Sequence, residues 1–129
     1  VNIDLSKIKV PCYFLATLAD HIVLWQGAYS GTRLVSGPKR FVLAGSGHLA
    51  GVINPPEKGK YPHWTNDDLE GSAENWFENA EKNQGSWWPD WQNWLVPISG
   101  VLVNRQAPGQ HKEFPTIEDA PGSYVKVRL

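Results

Sequence analysis

Apolar residues fall along the chain in three distinct patterns. The first is a continuous run. After Val10-Pro11, residues Cys12 to Ala16 are all apolar, and the run ends at Thr17. A strand apolar on both faces is expected at the centre of a parallel sheet, with helices covering each side. Pro11 suits the first position of such a strand. "RFVLA", Arg40 to Ala44, repeats the pattern. Between the two runs, Ala28, Tyr29 and the stem of Arg33 recur at helical spacing within Trp25 to Leu34, and "SGPK" (Ser36 to Lys39) stops that helix. Strand, helix and strand over this length predict a βαβ unit of two parallel strands.

The second pattern is the absence of one. Gly51 to Gly71 is rich in Pro, Gly, Asn and Asp, and it reads as loop. The third is helical. Ser72 is a candidate cap with Glu74 in the first turn, and Ala73, Trp76, Phe77 and Ala80 form one stripe that stops at Gly85. "SWWPDWQNWL" follows, with Ser86 as cap and Pro89 in the first turn. Trp88, Trp91, Trp94 and Leu95 share a face, and Pro97 ends the helix. Helical spacing makes packing against protein the expectation for Trp76, Phe77, Trp91 and Trp94. Beyond Ile98 the chain is mostly irregular, with short strands expected at Gly100 to Val103 and Tyr124 to Val127.

Composition narrows the function classes. The chain has 129 residues, enough for one domain at most, and 41 % are hydrophobic. A net charge of −1 argues against a nucleic-acid binder. No apolar run approaches the ~20 residues of a membrane span, and no signal peptide opens the chain. One cysteine excludes an internal disulfide framework and fits a reducing compartment. Methionine is absent even from position 1, so the chain is expected to begin inside a longer protein. Five of the seven tryptophans lie between Trp76 and Trp94, a region that either packs against something large or binds something flat.

Candidate chemistry gathers beyond the strands. Asp20 follows the first strand and His48 the second, in the glycine-flanked stretch "GSGH". In α/β sheets, functional groups collect past the C-terminal strand ends. Adjacent strands lie ~4.8 Å apart, close enough for their loops to bring a carboxylate to an imidazole. The carboxylate would fix the imidazole tautomer and leave the other ring nitrogen free to take a proton from a nucleophile. Gly45 and Gly47 are expected to let the backbone turn sharply. Spacing alone equally allows an ordinary loop histidine and a helix-capping aspartate. His21 lacks the glycine-flanked setting and reads as structural. His63 and His111 fall in polar loops, without metal-ligand spacing. Cys12 starts its strand at the end opposite Asp20, outside any nucleophile elbow, and reads as a small core residue. An aromatic stacking module built on the tryptophans is the reading from another class.

The stretches "ADHIVLWQGAYSGTRL", "RFVLAGSGHLAGVINPP", "HWTND" and "GSWWPDWQNWL" resemble the C-terminal part of class I polyhydroxyalkanoate synthases, the poly(3-hydroxybutyrate) polymerases. The closing "APGSYVKVRL" resembles the end of that family's sequences. The resemblance runs from about Asp4 onward and is looser between Pro97 and Thr116. It implies an α/β fold in which residues 1–129 are the C-terminal portion of an α/β-hydrolase catalytic domain, without the part that bears the nucleophile. It implies a Cys-His-Asp triad in which Asp20 is the aspartate and His48 the histidine. The family's cysteine lies in a Gly-x-Cys-x-Gly box that this sequence lacks, so the chain alone is expected to be inactive. Leu24 stands where relatives often carry proline. The implied reaction transfers (R)-3-hydroxyacyl groups from coenzyme A thioesters to a growing polyester, with no cofactor. The implied setting is cytoplasmic, at the polymer granule surface, with the full-length enzyme a homodimer. A thioesterase or other acyl hydrolase of the same fold is the alternative.

Overall fold

The computed structural model describes residues 2–128. These fall into two compact units, Val1–Ser99 and Gly100–Leu129. The first unit carries an α/β architecture: β1 (Cys12–Thr17), α1 (Trp25–Gly31, continued by a 3-10 turn Thr32–Leu34), β2 (Lys39–Ala44), β3 (His63–Thr65), α2 (Ala73–Glu78), β4 (Glu81–Asn83) and α3 (Trp88–Leu95). The predicted βαβ unit is present. β1 and β2 pair in parallel, with Cys12 opposite Lys39 and Thr17 opposite Ala44.

The sheet differs from the expected parallel one. Its order is β1-β2-β3-β4, and β3 and β4 both run antiparallel to their neighbours. β3 lies inside the stretch read as loop, and β4 lies between α2 and Gly85. Both strands have three residues, too short for alternation to mark them. His63 is therefore a strand residue, 7 % exposed, with Nδ1 3.0 Å from the Gly85 carbonyl oxygen. β1, read as central, is an edge strand among the described residues, and its apolar side chains are only half-buried. Cys12 is likewise half-buried rather than in the core, its Sγ 3.3 Å from the Val10 carbonyl oxygen.

Side-chain alternation along β2 sends Phe41 and Leu43 to one face, where α1 and α2 cover them. Trp76 and Tyr29 complete this core. The Phe41 and Trp76 rings meet edge-on at 4.8 Å, and Tyr29 meets Phe41 edge-on at 5.3 Å. Buried aromatic polar groups need partners. The Tyr29 hydroxyl donates to the Leu69 carbonyl, and Trp76 Nε1 donates to the Asn66 carbonyl. Ser72 caps α2 as expected, accepting from the Asn75 N–H.

α3 covers the opposite face through a polar anchor. Tyr13 and Arg40 are register partners on β1 and β2. The Tyr13 hydroxyl donates to Asp90 at 2.7 Å, and Arg40 binds both Asp90 oxygens. Arg40 also reaches Asp67 at 2.7 Å. Burial opposes the charge on Asp90, but the hydrogen bonds from Arg40 and Tyr13 outweigh it and hold its pKa down. Trp87 and Trp94 stack around Tyr13 at 6.1 and 5.3 Å. The face turned to the sheet is therefore Trp87-Asp90-Trp94, not the expected Trp88-Trp91-Trp94 stripe. Trp88 and Trp91 stay 37 % and 39 % exposed, which corrects the expectation of packing for Trp91. Trp76 is fully buried, and Phe77 and Trp94 are half-buried.

In the second unit, the strands are β5 (Gln110–His111) and β6 (Phe114–Pro115), paired antiparallel. No strand forms at Gly100 to Val103, and Tyr124–Lys126 is a 3-10 turn instead of a strand.

Candidate active site

Two backbone hydrogen bonds extend the parallel ladder beyond its strands. Leu18 N donates to the Ala44 carbonyl at 2.8 Å, and Ala19 N donates to the Ser46 carbonyl at 2.9 Å. The loops that follow β1 and β2 therefore leave the sheet side by side. Asp20 and His48 ride on them, and His48 Nδ1 lies 2.7 Å from Asp20 Oδ2. The structure thus brings together the two residues that the strand-end reading singled out.

Each partner is oriented by its own loop. Asp20 Oδ1 accepts the N–H groups of Ile22 and Val23 at 2.8 and 2.9 Å, which leaves Oδ2 to face the imidazole. The Val23 N–H, then the His48 side chain and, more weakly, the Ile22 N–H lower the Asp20 pKa to about 2, and together they outweigh the desolvation that opposes them. Asp20 is thus a carboxylate at any pH near neutrality. With Nδ1 protonated and donating to that carboxylate, Nε2 carries the lone pair. The described residues give Nε2 no hydrogen-bond partner, and the His48 side chain is 44 % exposed. Such a pair accepts a proton at Nε2 and holds the resulting imidazolium.

The glycines around His48 act differently from expectation. The left-handed residue of the turn is Ser46, with φ 74°. That conformation costs a non-glycine residue roughly 1–2 kcal/mol. Gly45 and Gly51 are needed for close approach. A Cβ at Gly45 would stand 2.9 Å from the Pro62 carbonyl oxygen, and one at Gly51 would stand 2.5 Å from both the Gly45 carbonyl oxygen and Thr17 Cγ2. Residues 47 to 53 form a helical turn, with Gly51 N donating to Gly47 O and Ile53 N to Leu49 O. Asn54, buried, ties the loop's return by donating to the Tyr61 carbonyl and accepting from Lys60 N.

Other candidates stay apart. Cys12 sits at the opposite end of β1, about 17 Å from Thr17 at the usual rise per strand residue. No group of His, Cys, Asp and Glu suited to a metal forms among the described residues. No helix among them is long and apolar enough to cross a membrane. Sequence reasoning missed the Tyr13-Arg40-Asp90 anchor. Asp90 in the first turn of α3 already has a local explanation in the helix dipole, which hides its tertiary role.

No protein-family model matches the chain. Curated relatives do. The poly(3-hydroxyalkanoate) polymerase subunit PhaC of Cupriavidus necator is 48 % identical over 99 % of this chain and 22 % of that protein. The subunit of the same name from Rhizobium etli is 45 % identical over 98 % of this chain and 20 % of its own length. Poly(3-hydroxyalkanoate) polymerase 2 of Ectopseudomonas oleovorans is 36 % identical over 98 % of this chain and 22 % of its own length. The chain therefore spans about a fifth of the length of the curated relatives it matches. The resemblance carried by the motifs is borne out by these names.

Proposed function

We propose that this stretch of a poly(3-hydroxyalkanoate) polymerase supplies the acid and the base of that enzyme's triad, Asp20 and His48. The observation that carries this reading is the 2.7 Å contact between His48 Nδ1 and Asp20 Oδ2, beyond the C-terminal ends of adjacent parallel strands. The domain around them is the C-terminal part of an α/β-hydrolase fold, and the rest of the polymerase provides the nucleophilic cysteine.

The chemistry follows from the pairing. His48 Nε2 takes the proton of the cysteine thiol, and Asp20 stabilises the imidazolium. The thiolate adds to the carbonyl carbon of an (R)-3-hydroxyacyl-CoA thioester. The bond from that carbon to the CoA sulfur breaks, and the sulfur leaves with the proton from His48. The acyl group is now a thioester of the enzyme. The 3-hydroxyl of a second acyl group then loses its proton, to His48 or to Asp20. Its oxygen attacks the acyl carbonyl, the bond from that carbon to the cysteine sulfur breaks, and the ester bond of the polymer forms, with the freed thiolate left to take the next acyl group. No cofactor takes part. The enzyme acts as a homodimer at the surface of cytoplasmic polyester granules.

The test uses the polymerase that carries this stretch, with (R)-3-hydroxybutyryl-CoA as substrate. CoA release and polymer yield are measured for wild type, His48→Gln and Asp20→Asn. The expected loss is at least about 10³-fold for His48→Gln and about 10²–10⁴-fold for Asp20→Asn. Turnover within tenfold of wild type in His48→Gln would defeat the assignment. CoA release with free 3-hydroxybutyrate as the sole product would point to a hydrolase instead.

A further inference from the structure

The turn that carries His48 is held at its far end by two indoles. Val52 lies in the helical turn of residues 47 to 53, whose last carbonyls have no partner within the turn. The Val52 carbonyl oxygen accepts two donors from outside: Trp87 Nε1 at 3.2 Å and Trp88 Nε1 at 3.1 Å. A carbonyl oxygen has two lone pairs, and here both are engaged. The two rings stand at 74° to each other, which lets adjacent side chains aim their N–H groups at one atom.

Behind the indoles the anchorage is rigid. Trp87 stacks on Tyr13 of β1, and α3 is fixed to β1 and β2 by Asp90 through Tyr13 and Arg40. Next to Val52 in the same turn, Gly51 lies against Thr17 and the Gly45 carbonyl with no room for a Cβ. The end of the turn away from His48 is therefore pinned twice, at Gly51 and at Val52, and both pins lead back to the strands that set the Asp20 loop. Trp91 offers a contrast. It lines an apolar groove of about 310 Å³ with Val52, Ile53, Trp87 and Trp88, but it gives Val52 no hydrogen bond among the described residues.

We propose that Trp87 and Trp88 are positioning residues for His48: their indole N–H groups clamp the Val52 carbonyl and so keep the imidazole on Asp20. The catalytic meaning of this clamp rests on the function proposed above, but the clamp itself is a statement about the Asp20–His48 geometry. Phenylalanine keeps an aromatic ring in place and removes the N–H donor, and Trp91→Phe controls for the smaller ring.

The experiment uses the full chain with ¹⁵N-labelled histidine and reads the low-field proton between His48 Nδ1 and Asp20. Wild type shows the resonance. Trp87→Phe/Trp88→Phe loses it, or exchanges it at least tenfold faster, while the amide signals of β1 and β2 stay in place. Trp91→Phe keeps it at the wild-type rate. A double variant that retains the resonance at the wild-type exchange rate overturns the proposal. If the double variant does not fold, the wild-type indole protons decide. Exchange of the Trp87 and Trp88 N–H at least tenfold slower than that of Trp91 supports the clamp, and equal exchange overturns it. An active His48→Gln polymerase would defeat the catalytic reading while leaving either clamp result standing.

Discussion

Asp20 is the residue whose placement is most legible in the sequence, because its distance along the chain from His48 matches one helix and one strand. Its electrostatics were not legible. They depend on the N–H groups of Val23 and Ile22, which only the folded loop aims at Oδ1. The same applies to Ser46. Gly45 and Gly47 predict the sharp turn, yet the left-handed backbone falls on Ser46 between them, while Gly45 and Gly51 serve close packing. A pH prediction follows. The folded-state pKa of Asp20 lies below its ordinary value of 3.8, at about 2. Its contribution to stability is therefore complete above 3.8 and is lost as pH falls through about 2. The carboxyl ¹³C shift of Asp20 should titrate with a midpoint near 2. In His48→Ala the midpoint should rise only part of the way back, because the two backbone donors remain. A wild-type midpoint near 3.8 would contradict the hydrogen-bonded loop.

Among the elements, β1, α1, β2, α2 and α3 were all visible in the sequence, each from a run or a periodic stripe. β3 and β4 were not, since three residues carry no readable period and the pairing of β3 with β2 and of β4 with β3 is a tertiary event. α3 shows how a correct helix can be given a wrong face. Hydrophobicity favours the Trp88-Trp91-Trp94 side. The bidentate hold of Arg40 on Asp90 turns the Trp87-Asp90-Trp94 side to the sheet instead. The exposed tryptophans of α3 and the buried one of α2 should then respond differently to truncation. Trp76 is fully buried between Tyr29 and Phe41, so Trp76→Ala should cost about 3–5 kcal/mol in urea unfolding. Trp91→Ala, at 39 % exposure, should cost about 1 kcal/mol or less. Equal costs would mean that the two helices pack alike, contrary to this fold.

For the whole molecule, the sheet ends at β1 among the described residues, with Tyr13, Phe14 and Leu15 half-buried along that edge. Ile22, Val23, Leu24, Leu49 and Ile53 beside the Asp20–His48 pair are more than half exposed. A free apolar edge of this kind is a template for pairing with another chain. The matched relatives are about five times longer, and we expect their remaining sequence to cover this side. The chain by itself should therefore associate at micromolar concentration in sedimentation velocity, and a cooperative, non-associating monomer would contradict that expectation. It should also release no CoA from the thioester, because Cys12 stands at the wrong end of β1. Within the polymerase, the proposed role of His48, oriented by Asp20, is to generate the thiolate that takes the acyl group. Intact-mass spectrometry after mixing enzyme with one equivalent of (R)-3-hydroxybutyryl-CoA reads that step directly. Wild type should gain the acyl mass rapidly, and His48→Gln should do so at a rate lower by at least about 10³-fold. Acylation of His48→Gln at the wild-type rate would contradict it.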